Sequence, residues 1–273
     1  GEKPEVAQAI FEHYLPRHAG DILPATELGM VVSLADKLDT IVGCFGVGIQ
    51  PTGSQDPYAL RRQALGICRI MLERGLEISL TGLIDQAFAL YPEDKVQMKL
   101  TREQVISEIR EFFRLRLRNI LNEQDIAHDV LDSVLAIGFD NLADLQRRAL
   151  GLQAFRQQTE FVDLLTAYLR AHNLAQHAET ETIDKTLLLE PVEEELHSAL
   201  IRAQFEVFES LKHKDIARAL GVLATLREPI GAFFTGVMVM AEDPATRHNR
   251  LALLKQIDNL AAKIADFSKI VVV

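Results

Sequence analysis

The chain has 273 residues, enough for one large or two ordinary domains, and its 48% hydrophobic and 25% charged residues are those of a globular protein. A net charge of −10 excludes any general attraction to phosphate, and two cysteines, Cys44 and Cys68, with no CxxC pair exclude a zinc ribbon and a disulfide framework. The longest apolar stretch, residues 231–241, is well short of the ~18–20 residues of a membrane span, and the two lone cysteines lead us to expect a reduced, cytoplasmic protein.

Helical spacing of Val6, Ala9, Ile10 and Tyr14 predicts a first helix over 4–15, closed by Pro16. Thr26 precedes a second over 28–42, which leaves through Gly43, Gly46 and Gly48. Asp56 is placed to cap a third helix that starts at Pro57 and stops near Arg74, before Gly75. A shorter helix and a connection with Pro92 fill 76–99. Thr101 and Gln104 have capping-box spacing, so a long helix is expected over 101–121, with a domain boundary just before it. Helical patterns then follow at 125–137, 142–156, 158–174, 192–211, 215–226, 230–240 and 244–267, with no alternating run of strand length. The expected fold is all-α: a helical domain over 1–99 and a helical bundle over 100–273.

Three constellations invite chemistry. His13, His18, Asp36 and Asp39 suggest metal ligation, with the two aspartates sharing a helix face, but no adjacent His-Asp pair precedes them. The bland alternative has Asp36 and Asp39 capping the glycine-rich exit or pairing with Arg61 and Arg62. The loop GCFGVGIQPTGSQDP (43–57) lacks the Lys-Ser/Thr of a phosphate-binding loop and follows no strand, so its glycines serve backbone conformation and close packing.

The third constellation is a set of arginines. Residues 101–180 hold nine Arg, no Lys and twelve acids. Arg110, Arg114 and Arg118 lie four apart and form a stripe, with Arg116 on another face. Arginine stacks on unpaired bases and bonds their edges, which suits a single-stranded loop. A solvated face paired with Glu108 and Glu111 is the alternative.

The segments HYLPRHAGDILP (13–24), LADKLDTIVGCFGVG (34–48), QPTGSQDPYALRRQALGICRI (50–70), FFTGVMVMAEDPATRHNRLALL (233–254) and IADFSKI (264–270) are collinear with one family. Together they resemble the C-terminal part of the beta subunit of the bacterial two-subunit glycyl-tRNA synthetase, a longer chain of which this would be a C-terminal fragment. The resemblance implies a partial HD-like helical domain followed by a DALR-like anticodon-binding bundle. Phe112, Phe113, Arg116 and Leu117 are similar to one family segment, and Arg170, Asn173 and Leu174 to another in which Leu169 replaces a lysine. Asp243, Arg247, Asn249 and Arg250 fit the terminal segment, with Thr235 in place of an aspartate; Phe233, Phe234, Met238 and Met240 are expected in the core.

By resemblance, the partners are glycine tRNA and an alpha subunit, with neither a membrane nor DNA. ATP and magnesium serve the holoenzyme's aminoacylation site in the alpha subunit, and no cofactor, metal or catalytic residue is expected in this chain. The tRNA-binding candidates are Arg110, Arg114, Arg116, Arg118, Arg170, Asn173, Arg247 and Arg250. An HD-type metal-dependent phosphohydrolase remnant and a helical scaffold that docks the alpha subunit are the alternatives.

Overall fold

In the computed structural model, which describes residues 1–92 and 96–271, the described residues form twelve α-helices, two short 3-10 turns and no β-strand. None of these helices is long and apolar enough to cross a membrane. The chain divides into two compact units: Gly1–Asp125 with Phe139–Gln146, and Ile126–Gly138 with Arg147–Val273.

The first unit contains α1 (Pro4–Glu12), α2 (Glu27–Gly46), α3 (Leu60–Glu73), α4 (Leu80–Ala89) and α5 (Arg102–Asn122). Helix α2 packs on each of the other four. Thr26 caps it by accepting from the Gly29 N–H at 3.0 Å, as its position in the sequence suggests. Beyond its end, Gly48 adopts φ +77°, where a side chain would strain the backbone. Helix α3 starts three residues later than expected. The Asp56 carboxylate accepts from the Leu60 and Arg61 N–H groups at 2.7 and 2.9 Å, and Ala59 at φ 53° makes Pro57 part of a turn.

Helix α5 opens with the expected capping box between Thr101 and Gln104. It buries Val105, Ile109, Phe113, Leu117 and Leu121 in a row and packs on α2, α3 and α4. By contact it is part of the first unit, so that unit extends past residue 99. The capping signal marks where a helix begins and carries no information about which core its apolar face enters.

The second unit contains α6 (His128–Ala136), most of α7 (Leu142–Phe155), α8 (Glu160–Ala175), α9 (Pro191–Lys212), α10 (Ile216–Ala224), α11 (Arg227–Gly236) and α12 (Pro244–Ala261). Helices α8 and α9 each pack on α10, α11 and α12. The buried side of α8 is tied to α12 by Asp258, which accepts from the Tyr168 hydroxyl at 2.6 Å and lies 2.8 Å from His172 Nδ1. Two helices end earlier than their periodicity suggests. α12 gives way to a 3-10 turn at Phe267–Lys269, and α11 stops at Gly236, after which Val237 is extended.

One buried acid organises the start of the first unit. Glu12 is 1% exposed; it accepts from Thr26 N at 3.1 Å, Thr26 Oγ1 at 2.5 Å and Gln8 Nε2 at 2.8 Å. The Thr26 hydroxyl above all holds its pKa down, from the ordinary 4.5 to about 2. A depressed folded-state value means stability present above pH 4.5 and lost as pH falls toward 2. Thermal unfolding followed by circular dichroism is therefore expected to show Glu12→Gln less stable than the parent at pH 7, with the difference shrinking below pH 4.5. Parallel curves down to acid pH would remove this role from Glu12.

Candidate nucleic-acid interface

The α5 arginines do not form a single stripe. Eight residues at about 100° each rotate the side chain by roughly 80° between Arg110 and Arg118, so the two look in different directions. Arg110 turns inward, donating to the Thr81 hydroxyl, 3.4 Å from the Asp140 carboxylate, with its guanidinium 5.0 Å from the centre of the Phe139 ring. Arg114 pairs with Glu111 at 3.4 Å, the helix-face pairing weighed above.

Arg116 and Arg118 instead line a hollow of about 490 Å³ together with Arg61 and Arg62 of α3. Arg116 donates to the Phe112 carbonyl at 2.6 Å, and its Cζ lies 3.6 Å from the Phe112 ring centre. Burial, with a further contribution from the Arg61 cation, pushes its pKa below the ordinary guanidinium value. Arg61 donates to the Gly53 and Gln55 carbonyls at 2.8 and 3.4 Å. The expected pairing of Arg61 and Arg62 with Asp36 and Asp39 is absent among the described residues. Asp39 accepts from the Tyr91 hydroxyl at 2.9 Å instead.

In the second unit, Arg170 is exposed on α8, and its Cζ lies 4.4 Å from the ring centre of Phe234 on α11. Asn173, three residues on, is exposed as well. Arg247 donates to the Ala241 carbonyl at 3.0 Å. Arg250 is 7% exposed: its Nε donates to Glu193 Oε1 at 2.7 Å and Nη1 to the Met238 carbonyl at 2.9 Å. It is thus an internal strut, placed apart from the outward arginines. Asn249 joins it inside, exchanging hydrogen bonds with the Asp184 backbone at 2.7 and 3.0 Å.

Phe233 is in the core as expected, but Met238 and Met240 are not, at 74% and 49% exposed. They follow the end of α11 at Gly236, off the helix, where Val239 is buried and its two neighbours are exposed. Periodicity also hides Ile201, Phe205 and Phe208. Their i, i+4, i+7 spacing on α9 reads as core, yet they are 50%, 68% and 64% exposed. Phe208 borders a groove of about 980 Å³ shared with Gln204, Gln256, Asn259 and Lys263, so ring and amide groups are presented side by side.

The His13, His18, Asp36 and Asp39 set does not converge on a metal site. His13 Nδ1 lies 2.5 Å from the Ile10 carbonyl, His18 Nδ1 lies 2.9 Å from the Ala19 carbonyl, and Asp39 is taken by Tyr91. Among the described residues no group of three or more His, Cys, Asp or Glu is arranged to hold a metal ion.

Residues 1–136 match the family model for the glycyl-tRNA synthetase beta subunit, and residues 164–271 match that for the DALR anticodon binding domain. The second match begins within α8 and runs through α12. Similar proteins include the glycine–tRNA ligase beta subunits of Desulforamulus reducens, 52% identical over 272 residues, and Moorella thermoacetica, 47% identical over 272 residues. That of Clostridioides difficile is 45% identical over 271 residues. Each alignment covers 99–100% of this chain and 39% of the relative, so the chain spans about two fifths of their length.

The internal and outward arginines separate by experiment. Arg250→Ala leaves the fully buried Glu193 carboxylate without its counter-ion and is expected to destabilise the protein by about 3–5 kcal/mol. Arg170→Ala removes an exposed ring contact at about 0.5–1 kcal/mol. Urea denaturation of both variants checks the order, and equal losses would contradict the placement of Arg250 as a strut.

Proposed function

Because the chain belongs to the glycyl-tRNA synthetase beta-subunit family, we propose that it is the tRNA-recognition part of a glycine–tRNA ligase beta subunit. In this reading it binds the anticodon region of glycine tRNA and supports aminoacylation by an alpha subunit. The observation that carries it is Arg170: an exposed guanidinium laid over Phe234, with Asn173 beside it, within the stretch matching the anticodon-binding model.

The chemistry is positional. An arginine already held against a ring spends little conformational freedom on binding and keeps its N–H edge for a base or phosphate. Asn173 supplies a donor and an acceptor for a base edge. Arg247 sits in the first turn of α12 and contributes charge there. ATP and magnesium serve the aminoacylation step in the alpha subunit.

Docking of the alpha subunit is a second reading for the first unit. It is favoured by Ile10, Phe11, Tyr14 and Val31, which α1, its exit and α2 leave 58%, 53%, 64% and 58% exposed. Co-elution of the chain with the alpha subunit, lost on Ile10→Glu, supports docking; co-elution unaffected by that change removes this face.

The tRNA reading is tested by fluorescence anisotropy with labelled glycine tRNA and a variant altered only in the anticodon, over a salt series. Tighter binding of the native anticodon at every salt concentration is expected. Arg170→Ala and Asn173→Ala are each expected to weaken that binding by about 1–3 kcal/mol, the range for a base contact. Equal binding of the two tRNAs by the parent protein would overturn anticodon recognition by this chain.

A further inference from the structure

We infer that the hollow between α3 and α5 of the first unit is a phosphate-binding site, built to take the phosphodiester backbone of a nucleic acid or the phosphates of a free nucleotide. Four arginines, Arg61, Arg62, Arg116 and Arg118, line its roughly 490 Å³, with Leu115 and Asn119 and no carboxylate among the lining residues. In a chain of net charge −10, four cations at one hollow run against the overall field.

The way these arginines are held identifies the ligand. Arg61 is anchored by the Gly53 and Gln55 carbonyls, and Arg116 by the Phe112 carbonyl and ring. Carbonyls and a π face fix a guanidinium in place without neutralising its charge, so both groups are preorganised and still cationic. Burial, and after it the like charge of Arg61, disfavour the Arg116 cation, with Asp56 partly offsetting them, and a bound anion would favour it further. Arg62 is exposed and has no hydrogen bond or ion pair among the described residues, so it is free to close on a ligand. Planar N–H forks match phosphate oxygens two at a time.

This site lies in the first unit, whereas Arg170 and Asn173 lie in the second. It rests on the tRNA reading only for the choice of polynucleotide probe. Backbone contacts set affinity and its salt dependence without reading sequence, so the two sites have different signatures.

The experiment uses the full chain, labelled glycine tRNA over a salt series, and inorganic pyrophosphate in a separate titration by calorimetry. Arg62→Ala is the principal variant, since that side chain holds nothing in the fold; its thermal melt should match the parent. Arg62→Lys keeps the charge without the fork, and the Arg61→Ala/Arg62→Ala pair deepens the loss. For a backbone ligand, Arg62→Ala should weaken tRNA binding roughly three- to tenfold, equally for native and altered anticodons, and lower the log K against log salt slope by about one. Arg62→Lys should restore most of that slope. Pyrophosphate affinity that falls in Arg62→Ala while tRNA binding stays unchanged supports the free-phosphate source.

Unchanged tRNA affinity, salt slope and pyrophosphate binding in both Arg62→Ala and the double variant would overturn the site. A loss confined to the native anticodon would overturn it too, by assigning Arg62 to base reading. Should the parent chain bind no tRNA, the tRNA reading fails, while the pyrophosphate titration still decides this one.

Discussion

A carboxylate removed from water must be supplied with hydrogen bonds, and in each unit one buried glutamate meets that requirement by tying separate elements together. Glu12 collects Gln8 of its own helix and both donors of Thr26, the residue that caps α2. Glu193 collects the Leu189 and Glu190 N–H groups ahead of α9 and the Arg250 guanidinium from α12. The start of α2 and the meeting of α9 with α12 are each tied by such a carboxylate.

The same reasoning sorts the arginines. A guanidinium inside the protein needs acceptors, and Arg250 finds a carboxylate and a carbonyl. Arg148, also buried, donates to the Val134, Ile264 and Gly138 carbonyls. Arg110 has Thr81, Asp140 and the Phe139 ring. Those satisfied inward are structural, whatever their spacing along a helix. Arg62 and Arg170 differ in being exposed, with no carboxylate partner among the described residues.

The two units present different groups at their surfaces. The first unit concentrates fixed positive charge between α3 and α5, suited to phosphates of any sequence. The second unit offers a guanidinium on a ring, an exposed asparagine, and on α9 exposed phenylalanines beside amides, groups suited to unpaired bases.

The all-α class and most helix boundaries were legible in the sequence, because capping and periodicity act within a few residues of each other: Thr26 and the Thr101–Gln104 box mark their helices in the chain as in the structure. Family membership was legible too, since collinear segments carry it without reference to contacts. Which core α5 joins, that Arg61 and Arg62 face Arg116 and Arg118, that Arg250 points inward, and that Phe205 and Phe208 remain uncovered were decided only by the tertiary structure. Periodicity specifies one face of a helix relative to another face of the same helix. What that face meets depends on residues far away in the chain, and only packing brings them together.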